Sequence, residues 1–210
     1  MIKKGTFIEI NYTGLIKESN KVFDTSQEEI AKKENIFNKN LTYKSIIICV
    51  GEHQILPGLD EELENKELGN YEFEIPPEKA FGKKNPKLMQ LVSTANFKKQ
   101  NIIPYLGLQV NIDGILGIIR TVTPGRAIID FNHPLSGKNL IYKIEIKRIV
   151  TDVKEQLDSL ISFYSRKFTT EIKQDEAIIK ADLPENLKEN IEKTILRLIY
   201  SIKKITILKE

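Results

Sequence analysis

The chain has 210 residues, 32 Lys and Arg against 29 Asp and Glu, and a single cysteine. That length holds one large domain or two to three small ones. A net charge of +3 is too mild to argue for nucleic acid, and one cysteine excludes an internal disulfide.

No apolar run reaches the length of a bilayer span. "MIKKGTFIEI" lacks a signal core and a small-residue cleavage site. A soluble, cytoplasmic protein with no membrane partner is expected. Charge is unevenly spread. Residues 1–82 hold 10 Lys and Arg against 15 Asp and Glu, whereas residues 83–132 hold 7 against 2. Residues 133–151 are net positive, and residues 152–210 balance at 11 and 11. Such shifts mark candidate domain boundaries.

In chain order, residues 6–12 alternate, with Ile8, Ile10 and Tyr12 on one face, as a half-buried strand does. Gly14 is expected to permit a turn before "KVFDT" resumes extended structure. Residues 26–36 read as a short polar helix or ordered loop. "SIIICVGE" is an apolar strand stopped by Gly51, and Cys49 within it reads as a small core hydrophobe. "ILPGLDEELENKELG" places Leu59 and Leu63 four apart, with acids early and Gly69 as a stop, which predicts a short amphipathic helix. "NYEFEI" alternates again, with Tyr71, Phe73 and Ile75 on one face.

Residues 83–132 differ in character. Asp113–Gly114 and Pro124–Gly125 sit between β-branched runs and predict hairpins in a small β-rich unit. "NLIYKIEIKRIV" is a further strand, with Tyr142, Ile144 and Ile146 on one face. The last sixty residues predict helix, strand, strand, helix, strand. The first helix carries a stripe of Val153, Leu157, Leu160, Ile161 and Tyr164. The second begins near Pro184, with Asp182 as the expected cap and Leu187, Ile191, Ile195, Leu198 and Ile202 on its face. The expected fold class is therefore α+β, in three units without a repeat or a low-complexity linker.

The residue patterns of metal and nucleophile catalysis are missing. The two histidines, His53 and His133, do not stand at ligand spacing, there is no cysteine cluster, and no phosphate-loop or dinucleotide fingerprint occurs. No metal and no cofactor are expected, and both histidines read as turn or surface residues. What remains is a set of apolar and aromatic residues with one acid. From spacing alone Asp24 is either a pocket acid or the cap of a "DTS" turn.

"NYTG", "KVFDTS", "VGEHQILPGLDEEL", "PPEKAFG" and "NHPLSGKNLIYKIEI" together resemble the successive landmarks of FKBP-type peptidyl-prolyl isomerases. The insertion before "NHPL" is similar to the SlyD-like branch, which carries an insert-in-flap chaperone domain there. The extra C-terminal unit resembles the long archaeal members. The resemblance implies an FKBP-like antiparallel sheet wrapped on a short helix for residues 1–82 and 133–151. It implies an inserted chaperone domain for residues 83–132 and a C-terminal α+β domain for residues 152–210.

It also implies roles. Tyr12, Phe23 and Asp24 would line the prolyl pocket, with Asp24 a partly buried acid holding the Tyr12 hydroxyl. Ile55 and Leu56 would meet the substrate through backbone and side chain. Leu59 would form the floor, where some members carry Trp, and Ile46 falls where an aromatic is common. Phe81 takes the place of a usual Tyr, and Tyr142 that of a usual Phe. With Asp24 so placed, the pocket reading outweighs the turn cap.

Such a site suits prolyl isomerisation. The amide is held planar by a barrier of about 18–20 kcal/mol. Water favours the planar, polar form over the twisted one, and an apolar pocket removes that advantage while fitting the twisted ring. The function expected is a peptidyl-prolyl cis–trans isomerase that also binds unfolded, proline-containing polypeptides as a folding chaperone. The alternative, motivated by Phe81, Leu59 and Ile46, is a holdase with little catalysis. The apolar helix faces of the C-terminal unit either pack on its own strands or pair two chains, and the resemblance tips this towards a homodimer.

Overall fold

A computed structural model describes residues 1–209. The elements run β1 (Phe7–Ile16), β2 (Lys21–Thr25), α1 (Glu28–Lys33), β3 (Ile46–Cys49), α2 (Pro57–Leu63), β4 (Gly69–Ile75), β5 (Met89–Ser93), α3 (Thr94–Lys99) and β6 (Gln109–Ile112). They continue with β7 (Ile115–Thr123), β8 (Arg126–Asp130), β9 (Leu140–Ile149), α4 (Val153–Ser162), β10 (Phe168–Lys173), β11 (Glu176–Ala181), α5 (Glu185–Leu198) and β12 (Lys204–Leu208). The class is α+β. The chain divides into two compact units, Met1–Lys79 with Asn139–Glu210, and Ala80–Lys138.

In the first unit, β2, β1, β9 and β4 lie in that order, all neighbours antiparallel, and β3 pairs with the leading half of β1. The period-two pattern sends Ile8, Ile10, Phe73, Ile75, Ile144 and Ile146 into the core over Leu59 and Leu63 of α2. Helix α2 starts at Pro57, whose missing N–H costs nothing at a helix start.

β3 is apolar at every position because both of its faces are covered. Ile47 and Cys49 join Phe7 and Val150 in an apolar cluster with Leu157, Leu160 and Ile161 of α4 and Ile191 and Ile195 of α5. A strand buried on both faces reads as a continuous apolar run. Burial pushes the Cys49 thiol up to about 12, so it is an inert core residue.

The C-terminal segment has its own sheet, β10–β11–β12. The first pair is antiparallel across the two-residue Gln174–Asp175 turn, and the second is parallel with α5 as the crossover. Three details depart from the sequence expectation, the first being that Ile202, expected on the face of the second helix, is buried beyond α5, which ends at Leu198. Tyr164 is exposed, because α4 ends at Ser162. Asp182 makes no cap: Pro184 occupies the N-cap of α5 and no side chain caps it. The side-chain cap falls instead at α4, where Asp152 accepts from the Glu155 N–H at 2.8 Å.

The second unit is a four-stranded antiparallel sheet in the order β5–β8–β7–β6. Both turn dipeptides form hairpins. Asp113 and Gly114 take the left-handed conformation between the paired Ile112 and Ile115, and Pro124–Gly125 joins Thr123 to Arg126. Helix α3, not expected from the sequence, inserts Phe97 into a small core with Val110, Ile119, Ala127 and Ile129.

Asp130, almost wholly buried, knits the base of this unit. It accepts from Lys84 Nζ at 3.1 Å, Arg120 Nε at 3.2 Å and both the N–H and the side-chain amide of Asn132, at 3.0 and 2.8 Å. Burial opposes its ionisation, but these donors outweigh it and hold the carboxyl well below the usual range. Among the described residues no helix is long and apolar enough to cross a membrane.

Candidate active site

Three strands bring the aromatic residues together. Gly14 of β1 lies opposite both Asp24 of β2 and Tyr142 of β9, and Tyr12 lies opposite Ile144. Tyr12 and Tyr142 therefore share a face, with ring centroids 6.4 Å apart and planes tilted by 45°. Phe23 meets Tyr142 edge-on, 5.9 Å away at 84°, the arrangement in which a ring edge meets a π face.

Gly14 is not in a turn. It lies within β1, and the Phe23 ring covers it so closely that a Cβ there would stand 2.6 Å from Phe23 Cζ. The missing side chain is what lets Phe23 reach Tyr142. Sequence reasoning missed this close approach, and an in-strand glycine where another group comes near was its signal.

The Tyr12 hydroxyl donates to Asp24 Oδ2 at 3.1 Å. Asp24 is exposed rather than partly buried. The turn after β2 is held by its neighbours: Thr25 Oγ1 accepts from the Gln27 N–H at 3.2 Å, and Ser26 Oγ from the Tyr12 N–H at 2.9 Å. Burial, and then the Asp24 charge, push the hydroxyls of Tyr12 and Tyr142 well above the ordinary tyrosine range, so both stay protonated donors. The Tyr142 side chain is buried, yet its hydroxyl has no protein partner. Since no buried side-chain polar atom among the described residues lacks one, that oxygen keeps an opening.

Ile55 and Leu56 are half-buried, on the bend that leads into α2, and Leu59 is buried on the helix itself. The bend is tightly held. Asp60, a buried acid, accepts from the N–H groups of Gly51 and His53 at 2.9 and 3.0 Å, and Gln54 Oε1 accepts from the Cys49 N–H at 2.7 Å. Among the described residues neither the Ile55 nor the Leu56 N–H has a partner. Two backbone donors are thus left for another molecule.

Ile46 pairs with Ile10 and lines a cleft of about 690 Å³ between the 40–47 segment and α4–β10, beside Leu41, Phe163 and Phe168. Phe81 belongs to the second unit, where its ring stacks flat on His133 with centroids 4.5 Å apart. His133 is exposed, and its Nδ1 accepts from the Leu135 N–H at 3.2 Å. His53 is exposed too. Among the described residues no group of three or more His, Cys, Asp or Glu side chains is placed to hold a metal.

Aromatic rings and a hydroxyl without a protein partner on β1, β2 and β9, and unpaired N–H groups on the bend before α2, are features that suit an apolar, amide-containing ligand. Comparison with known proteins identifies the family. The family model of the FKBP-type peptidyl-prolyl cis-trans isomerase matches residues 1–99, and that of the IF domain of FKBP26 matches residues 90–135. The short-type peptidyl-prolyl cis-trans isomerase of Methanocaldococcus jannaschii is 32% identical over 150 residues, 71% of this chain and 94% of that protein. The FKBP-type 16 kDa peptidyl-prolyl cis-trans isomerase of Escherichia coli K12 is 30% identical over 112 residues, 50% of this chain and 74% of that one. The FKBP-type isomerase SlyD of Pasteurella multocida is 28% identical over 101 residues, 46% of this chain and 50% of that one. The chain belongs to the FKBP-type peptidyl-prolyl cis-trans isomerases, with an inserted IF domain and a further C-terminal segment.

Proposed function

We propose that the chain turns the prolyl bonds of unfolded polypeptides at the cluster of Tyr12, Phe23, Asp24, Ile55, Leu56, Leu59 and Tyr142. The observation that carries this reading is the edge-on packing of Phe23 on Tyr142 beside the Tyr12–Asp24 hydrogen bond. Apolar ring faces take the proline and desolvate its amide, which favours the twisted bond over the planar one. The N–H groups of Ile55 and Leu56 are donors for the substrate backbone, and the Tyr142 hydroxyl supplies a third. Asp24 fixes the Tyr12 ring through its hydroxyl. No proton is transferred, so the chemistry rests on shape and polarity.

The inserted unit is proposed to hold the client. A groove of about 820 Å³ there is lined by Phe97, Ile102, Leu108, Val110 and Ile112 and runs along β6, an edge strand. Leu91, Ile103, Leu106, Ile115 and Leu116 stand exposed around the unit. An extended apolar chain can add to such an edge while its side chains enter the groove. The partners proposed are unfolded, proline-containing chains in the cytoplasm. Pairing of two copies through the C-terminal segment, which exposes Leu196, Tyr200 and Leu208, is proposed with sedimentation of the full chain as its test.

Refolding of a protein limited by a slow prolyl bond tests the main reading, because uncatalysed isomerisation takes roughly tens to hundreds of seconds. Acceleration by the full chain, and of a short prolyl peptide as well, is expected. Suppressed aggregation without acceleration of either substrate would leave a holdase and overturn the assignment of the cluster.

A further inference from the structure

One polar contact of the C-terminal segment reaches the approach to Ile55 and Leu56. Arg197 of α5 reaches Glu52, in the bend that precedes Ile55. Its Nη1 and Nη2 donate to the two carboxylate oxygens at 2.7 and 2.6 Å. This two-bond fork fixes orientation as well as distance. Glu52 keeps only 17% of its side chain exposed, so the carboxylate is largely covered while the fork holds it. Arg197 is itself well placed, because Ile195 and Ile199 on either side of it are buried and fix the rotation of α5.

The bend has little slack. Asp60 holds Gly51 and His53, the Gln54 side chain is tied to Cys49, and His53 sits at a φ of +53°, a conformation that costs a side-chain-bearing residue energy unless its surroundings enforce it. Glu52 is the residue of this bend whose side chain is held from outside β3 and α2. Ile55 follows three residues later, and Leu56 is fixed as the N-cap of α2.

Resting on the prolyl-site reading above, we infer that Arg197 and Glu52 are positioning residues for the isomerase site. Helix α5 holds the Gly51–Gln54 bend in the geometry that presents Ile55 and Leu56, so the C-terminal segment sets catalytic efficiency through a loop. Without Arg197, the Glu52 carboxylate loses its cation and the two hydrogen bonds that fix its position. The bend then moves to hydrate it, and Ile55 moves with the bend.

The experiment uses the full chain carrying Arg197→Gln, Glu52→Arg, or the exchanged pair Glu52→Arg with Arg197→Glu, assayed on a short prolyl peptide. Each single change is expected to lower kcat/KM about fivefold to tenfold, since small misplacements of a binding group weigh heavily on rate. Arg197 is more than half exposed, so with Arg197→Gln Tm shifts by no more than about 2 °C. The amide signals of Gln54, Ile55 and Leu56 in the nuclear magnetic resonance spectrum move, whereas those of β9 stay. The exchanged pair regains at least half of the lost activity. Unchanged kcat/KM in active single variants overturns the inference, as does a loss that follows Tm while the Ile55 and Leu56 signals stay in place. A wild-type chain inactive on every prolyl substrate would overturn the prolyl-site reading instead, so the two failures are distinct.

Discussion

The aromatic cluster of the first unit and the groove of the second are both apolar, and they are built in opposite ways. Tyr12, Phe23 and Tyr142 are fixed by strand register, by a ring lying over Gly14 and by a hydroxyl–carboxylate bond. The groove runs along an unpaired strand edge, and side chains of the same unit such as Ile103 and Leu106 stand mostly in water. A site that must favour one twisted geometry needs rigid walls, because looseness lets the ground state bind equally well. A surface that holds many sequences needs main-chain donors and adaptable apolar contacts, because the backbone is what all clients share. Charge follows the same division: residues 83–132 carry 7 basic against 2 acidic residues, a balance suited to acidic stretches of a client.

The largest expected effect separates the two. Replacing residues 83–132 by a short loop is expected to lower catalysis on a refolding protein by roughly a hundredfold, because the local concentration of held client is lost. Activity on a short prolyl peptide is expected to stay within about threefold on the same grounds. Equal losses on both substrates would break the division of labour. Next in size is Gly14→Ala. Its Cβ displaces the Phe23 ring, and kcat/KM on the peptide is expected to fall about tenfold. Aggregation suppression by the inserted unit is expected to remain, and a light-scattering assay beside the peptide assay reads both.

Much of this arrangement was legible in the sequence. Period-two patterns placed the strands, and the two turn dipeptides placed the hairpins of the inserted unit. The residues now grouped around Tyr142 stood out as aromatics beside a lone acid. What escaped had physical causes. Gly14 read as a turn because a glycine is ambiguous until the ring that covers it is known. The continuous "IIIC" run read as an apolar strand, but nothing local said that α4 and α5 cover one of its faces. Helix α3 is six residues long, too short for a periodic stripe. Glu52 and Arg197 are 145 positions apart, and ion pairing at that distance leaves no mark on composition or spacing.

A smaller and cleaner probe is Tyr142→Phe. Its hydroxyl has no protein partner, so removing it orphans no group, and stability should change by less than about 0.5 kcal/mol. If the hydroxyl donates to the substrate backbone, kcat/KM falls about threefold to tenfold, the worth of one neutral hydrogen bond. An unchanged value would confine Tyr142 to a wall and leave the Ile55 and Leu56 N–H groups as the site's donors.

The smallest effect at neutral pH, and one that tells the units apart by stability, lies at Glu9. Ser45 first, and then Arg148 and Lys147, donate to its carboxylate and hold its pKa at about 2 against 4.5 for a free glutamate, although burial opposes this. Arg148 also forks onto Glu155 at 2.8 and 3.1 Å, so the network ties β1 and β9 to α4. A carboxylate whose folded pKa is depressed contributes stability above its unfolded pKa and loses that contribution as pH falls through the folded value. Stability of the first unit should therefore decline between about pH 4.5 and about pH 2 by an amount on the order of 2 kcal/mol, the cations being partly screened by solvent. Glu9→Gln should flatten that acid limb in a denaturant titration while leaving the second unit unchanged, because Asp130 there is held by its own donors, Lys84, Arg120 and Asn132. If Glu9→Gln shifted the unfolding of both units equally, the two would unfold as one cooperative body, and the contrast between rigid site and open groove would not extend to their stabilities.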